Sequence, residues 1–199
     1  MSKIRLVNFA FFHDAENKLI LGGIRGVFFY DFNYKGKYDP KLAASIDQDG
    51  KHISVELENK KPLDDIEELC QWVLGLKVDV KNEIVVSWNK ASLCFHHLSG
   101  EKAGKLMFVL KDLTAPGVEI TDLHINMDYR YFYNSTSRGQ ICVWKLDGSK
   151  KLIHSFAGHF KEVSCLQPLK NSPDQFLSAS LDGTIRIWSL DKFQQLYCL

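Results

Sequence analysis

Short runs of alternating apolar and polar residues, each closed by a turn signal, recur along the chain. In its C-terminal part, FLSASLDGTIRIW (176–188) reads as two strands around an Asp182-Gly183 turn, a strong hairpin pattern. FYNSTSRGQICVW (132–144) matches it in length, in the turn glycine (Gly139 for Gly183) and in the closing tryptophan. Trp144 and Trp188 stand 44 residues apart, so the hairpin is a repeat. IVVSWNKASLCFH (84–96) keeps the two apolar strands but has neither the turn glycine nor the closing tryptophan. LILGGIRGVFFYD (19–31) places Gly26 at the turn, with Phe28, Phe29 and Tyr30 in its second strand.

Each hairpin follows another apolar stretch, in RLVNFAFF, CQWVLGLKV, EITDLHI and EVSCLQPL. One more strand comes after the later copies: MFVL (107–110), LIHSF with Ile153 and Phe156, and LYCL at the end. The unit is therefore about four strands, present four times. Four antiparallel strands at a period in the forties is the pattern of propeller blades. The expected fold is all-β, with blades over 4–58, 70–110, 118–156 and 159–199. An insert over about 33–70 lengthens the first connection, with one strand inside exposed loop. Within PLDDIEELCQWV, the spacing of Leu63, Ile66, Leu69, Cys70 and Val73 predicts a short helix. Strand positions such as Phe28, Tyr30, Cys142, Ile185 and Ile187 are expected to pack blade against blade.

Charge changes the picture by exclusion. Twenty-five basic residues balance 24 acidic ones over 199 residues, which leaves no basic surplus for nucleic acid or an anionic membrane. The basic pairs Lys60-Lys61 and Lys150-Lys151 sit beside turn residues and read as solvated loops. Five cysteines (Cys70, Cys94, Cys142, Cys165 and Cys198) show no C-x-x-C and fit reduced thiols. The N-terminal apolar stretch is broken at Asn8 and is too short for a secretory signal or a membrane span. The expected setting is intracellular and cytoplasmic.

Candidate chemistry is sparse. Cys94 with His96-His97 suggests a metal, but neighbouring strand residues face opposite sides and no second ligand pair follows at zinc-like spacing. Asp47-x-Asp49-Gly50 lacks the downstream glutamate of a calcium loop, and Gly22-Gly23-x-x-Gly26 lies inside a hairpin. Neither metal nor cofactor is expected. Ser180, His159 and Asp182 are the residue types of a hydrolase triad, yet no G-x-S-x-G elbow surrounds the serine. Aromatics in YRYFY (129–133) are ambiguous between strand and partner contact.

The last unit, GHFKEVSCLQPLKNSPDQFLSASLDGTIRIWSLD, resembles a WD repeat. It carries Gly158-His159, the strands VSCL and FLSAS, the Asp-Gly turn and Ile-Arg-Ile-Trp, although Ser189 follows Trp188 where the family has Asp. The third unit is similar but has Ala115 at the histidine position and Arg138 at that of Asp182. The resemblance implies a structural hydrogen-bond network of His159, Ser180, Asp182 and Trp188, with Ser178 as the other candidate hydroxyl. Trp144 is the repeat equivalent of Trp188. It also implies part of a larger ring, since such rings usually hold about seven blades. Here the chain starts inside a first strand and ends on a lone outer one, so closure calls for further blades or a second chain. The implied function is a non-enzymatic scaffold for protein partners, and the degenerate units are similar to large WD-repeat proteins of cilia and flagella. The competing reading is a ligand-binding or hydrolytic propeller that uses a central channel.

Overall fold

The structure is a computed structural model that describes residues 7–16, 18–23, 26–31, 41–46 and 73–199. The helix expected over 63–73, apart from Val73, lies outside the described residues, as do Cys70, Asp47, Asp49 and Gly50. The chain divides into two compact units between Lys111 and Asp112.

The first unit holds two sheets. One is β1 (Val7–His13), β2 (Lys18–Gly23), β3 (Gly26–Asp31) and β4 (Lys41–Ile46); the other is β5 (Gly75–Asp79), β6 (Ile84–Trp88), β7 (Leu93–His97) and β8 (Leu106–Leu110). In the second unit, β9 (Ile120–Asn126), β10 (Tyr131–Thr136), β11 (Ile141–Lys145) and β12 (Leu152–Phe156) form the third sheet. The fourth is β13 (Val163–Leu169), β14 (Ser172–Ser180), β15 (Ile185–Ser189) and β16 (Gln194–Cys198). Each sheet is an antiparallel meander with its strands in chain order. That order follows from the tight turns read in the sequence, because short connections bring consecutive strands side by side.

Gly26 is the first residue of β3, paired with Gly23, and does not sit in the turn. The hairpin is thereby shifted by one residue, and a one-residue shift exchanges the faces. Val27 and Phe29 are buried, while the side chains of Phe28 and Tyr30, expected to pack blade against blade, lie outside the described set. Pro168 lies within β13 opposite Phe176, and the ladder shifts register immediately after it. A residue with no N–H breaks the ladder at that point.

Within each unit, consecutive sheets pack face to face. In the first, Ile20, Val27 and Phe29 pack with Val73, Val85 and Leu98. Val73 N–H donates to Gly23 O at 3.2 Å, and the Asn8 amide donates to Val73 O at 3.1 Å. In the second, Tyr133, Ile141, Val143 and Phe156 of the third sheet meet Val163, Leu166, Phe176 and Trp188 of the fourth. Tyr133 stacks on Phe176 with centroids 4.4 Å apart. Each such side chain contributes about 1.5–3 kcal/mol by leaving water, so these paired faces are the main stabilising element of each unit.

Polar groups stitch the same interface. Thr121 Oγ1 donates to Val163 O at 2.6 Å, and Leu166 N–H donates to Asp122 Oδ2 at 2.8 Å. Burial, then the Asp122 charge, pushes the Tyr133 phenol well above its usual range, so it stays protonated.

Candidate functional site

The expected network sits on the face of the fourth sheet that meets the third. Trp188 Nε1–H donates to Ser178 Oγ at 2.8 Å, and Ser178 Oγ lies 2.7 Å from His159 Nε2. His159 Nδ1 lies 2.8 Å from Asp182 Oδ2. One arrangement uses every hydrogen: the indole donates to the hydroxyl, the hydroxyl to Nε2, and Nδ1–H to the carboxylate. The side chains of His159 and Asp182 are fully shielded from solvent.

The linking hydroxyl is Ser178 and not Ser180. Register explains the difference: Phe176 is directly opposite Trp188, and Ser178 is opposite Arg186, which puts Ser178 on the diagonal from the indole. Ser180 is one repeat of the pleat further away. It accepts the Asp182 N–H at 3.1 Å and donates to Lys161 O at 3.2 Å, so it ties the turn to the preceding loop.

Asp182 is held from several directions. Thr184 donates to its Oδ1 from both Oγ1 (2.6 Å) and N–H (2.9 Å), and Phe160 N–H reaches Oδ2 at 3.3 Å. Burial alone would raise its pKa, but the hydrogen bonds from Thr184, His159 and Phe160 win and hold the carboxyl well below the usual range. Gly158 permits this packing, since a Cβ there would come within 2.6 Å of Arg186 Nη1 and 2.9 Å of Trp188 Cη2.

The third sheet solves the same problem with fewer groups. Trp144 Nε1–H donates to Asn134 Oδ1 at 2.7 Å, and Asn134 stands opposite Cys142 as Ser178 stands opposite Arg186. An amide oxygen accepts the indole directly, so no histidine is required. The residues at the other two positions, Ala115 and Arg138, are exposed.

The second sheet fills the tryptophan position with another ring. In all four sheets the pairing of third and fourth strands shifts at one place: between Phe29 and Tyr30, Phe95 and His96, Val143 and Trp144, and Ile187 and Trp188. His96 therefore holds the position of the tryptophans, and Ser87, opposite Cys94, holds that of Ser178. His96 is fully buried and meets Phe29 edge-on at 6.5 Å. The alignment of 84–96 with 132–144 and 176–188 already ends on His96, and the bulge confirms that position.

The remaining candidates separate. Cys94 and His96 are buried while His97 is half-buried, and among the described residues no group of three or more His, Cys, Asp or Glu is placed to hold a metal ion. Gly22 and Gly23 end β2 and Gly26 begins β3. Of the YRYFY aromatics, Phe132 and Tyr133 are core residues, whereas Tyr129 and Tyr131 are half-buried and stacked at 6.1 Å. Burial, then Asp191, Asp174 and Asp128, raises the Tyr129 phenol. Cys165 and Ile185 are exposed, contrary to the packing expected for Ile185.

Residues 150–189 match the family WD domain, G-beta repeat. Among curated proteins, Cilia- and flagella-associated protein 52 of Homo sapiens is 25% identical over 113 residues, covering 56% of this chain and 17% of that protein. The Bos taurus protein of that name is 27% identical over 95 residues, covering 47% and 15%. The chain thus spans about a sixth of the relatives it matches. Among solved structures, the WD40 β-propeller domain of Doa1 superposes with a TM-score of 0.61 at 17% identity, over 97% of this chain and 54% of that one. The computationally designed Ika8 protein gives 0.63 at 19% identity, over 97% and 48%. Residues 150–189 are therefore a WD repeat of the G-beta kind, in a chain that shares the fold of WD40 β-propellers.

Proposed function

We propose that this chain is a non-enzymatic scaffold for protein partners in a ciliary or cytoskeletal assembly. The observation that carries the reading is the placement of Ser178 between Trp188 and His159. The hydroxyl, the imidazole and the carboxylate of the fourth sheet are shielded and committed to one another, and Ser178 is fully buried. No substrate atom reaches that hydroxyl without the sheets parting. Ser180, which the triad reading needs, bonds to the Asp182 amide and to Lys161 O. The ciliary setting rests on the similarity to Cilia- and flagella-associated protein 52.

The test has two arms. A tagged form of the natural protein, expressed in ciliated cells, is expected to stay with the axonemal fraction after detergent extraction; release into the soluble fraction contradicts the assembly. Purified protein, incubated with ester, phosphoester, glycoside and peptide substrates, is expected to give no saturable turnover. A turnover abolished by Ser180→Ala with folding intact contradicts the scaffold reading.

A further inference from the structure

Where the third and fourth sheets meet, the packed face ends in a pair of tyrosines. Tyr131, on β10, packs against the shared core, and Tyr129, in the turn before it, stacks on Tyr131 with ring centroids 6.1 Å apart. Both rings are half-buried, so the stack carries the aromatic interior of the interface out to solvent. Three carboxylates gather at that outlet. Asp128 adjoins Tyr129 in its turn, Asp174 lies on β14, and Asp191 lies in the turn after β15. After desolvation, the charges of Asp191, Asp174 and Asp128 hold the Tyr129 phenol above its usual range, so the ring stays neutral.

One chain of hydrogen bonds sets these groups against each other. The Asn126 amide donates to Pro173 O at 2.6 Å, and its Oδ1 accepts the Tyr129 N–H at 3.2 Å. Asp174 O in turn accepts the Leu190 N–H at 2.6 Å. The turn that bears the tyrosine is thereby tied to the strand that bears Asp174, and that strand to the turn that bears Asp191. Among the described residues, none of the three carboxylates forms an ion pair. Lys145, directly opposite Tyr131, is taken up by Asp147 at 2.7 Å. Arg130 and Lys192, the chain neighbours of Tyr129 and Asp191, are exposed and likewise pair with none of them among the described residues.

The face of a neutral tyrosine attracts a cation, and carboxylates without partners supply the matching charge. Arginine fits this combination best. Its guanidinium is flat, lies against a ring and offers a fork of donors that more than one carboxylate can share, whereas an ammonium is a compact, strongly hydrated charge. We infer that Tyr129 and Tyr131, with Asp128, Asp174 and Asp191, receive an arginine side chain from a basic segment of a protein partner. Because the rings come from the third sheet and two of the carboxylates from the fourth, the site exists only where those sheets are docked. The inference deepens the scaffold reading, on which it rests for the partner being a protein, by naming a contact surface and the chemistry that fills it.

The test uses the 199-residue chain and a fluorescein-labelled peptide that alternates arginine with glycine, read by fluorescence anisotropy. Saturable binding is expected, weaker by about tenfold when citrulline, neutral and of the same shape, replaces arginine, and by about threefold or more with lysine. Tyr129→Ala and Asp191→Asn are each expected to weaken it by roughly three- to tenfold, whereas Tyr129→Phe, which keeps the ring, leaves it unchanged. Asp191 is exposed, so Asp191→Asn is expected to leave the melting temperature unchanged, which separates loss of the contact from loss of folding. Absence of saturable binding overturns the inference, as does equal binding of the citrulline or the lysine peptide. Binding that Tyr129→Ala and Asp191→Asn leave unchanged also overturns it, by placing the contact elsewhere. Axonemal retention is scored separately in cells: retention without peptide binding removes this site and keeps the scaffold, and release with peptide binding does the reverse.

Discussion

His96 occupies in the second sheet the register position that Trp188 occupies in the fourth, each directly after the shift between the third and fourth strands. Both are buried, and both face a neighbouring sheet across an aromatic contact, Phe29 for His96 and Phe156 for Trp188. The position calls for a flat ring on the packed face. Its identity varies with what the strand alongside offers.

Trp188 is the largest fully buried side chain of the fourth sheet. Trp188→Ala is expected to cost roughly 3–5 kcal/mol as a large core truncation. Urea unfolding followed by far-ultraviolet circular dichroism measures it. An unchanged midpoint would mean that the indole is a binding group and not a structural one.

The two serines of FLSAS should behave differently. Ser178→Ala leaves the Trp188 N–H without its acceptor in a buried setting, at a cost of about 1–3 kcal/mol. Ser180→Ala removes the bond to Lys161 O and the acceptor of Asp182 N–H, both at a strand end reached by water, and is expected to cost less than Ser178→Ala. Paired unfolding curves distinguish them, and equal losses would contradict the assignment of the linking hydroxyl.

Asp182 imposes a pH dependence of known sign. Its folded pKa lies below the unfolded value of about 3.9, so near and below that pH the unfolded chain binds a proton that the folded chain resists. Its contribution is complete above the unfolded pKa and is lost as pH falls toward the folded one. The gap in urea midpoint between wild type and Asp182→Asn is expected to narrow on going from about pH 6 to about pH 3. A gap that is constant across that range would show that the carboxylate is not held in its charged form.

Gly139 and Gly183 share a positive φ, so alanine at either meets the same backbone strain of about 1–2 kcal/mol. Only Gly139 also abuts the backbone at His159. Gly139→Ala is therefore expected to lower the melting temperature more than Gly183→Ala. Equal shifts would show that the turn does not bear on the next sheet.

Much of this architecture was legible beforehand, for identifiable reasons. The hairpins at 132–144 and 176–188 end in tryptophan and turn on glycine, which sets strand length and register together. The first hairpin was misread by one residue because Gly26 was assigned to the turn by analogy with Gly139, and in a strand one residue reverses the faces. Ser178 and Ser180 share a face, so sequence alone could not choose between them; the diagonal from Trp188 does. The alignment of 84–96 with the later hairpins places His96 at the tryptophan position, but a histidine there gives no sign of the full burial and aromatic contact that the structure shows. The interface between third and fourth sheets was partly readable as apolar alternation, but the Asp122 bond to Leu166 crosses 44 residues and has no local sign.

The claim at the centre of this account is that the indole, hydroxyl, imidazole and carboxylate of the fourth sheet act as one structural unit. A double-mutant cycle of Ser178→Ala and Trp188→Phe, read from urea unfolding free energies, tests it most directly. Trp188→Phe keeps an aromatic ring but deletes the N–H that Ser178 accepts. A coupling on the order of 1 kcal/mol is expected. Losses that simply add would contradict the unit and leave the two side chains as independent neighbours.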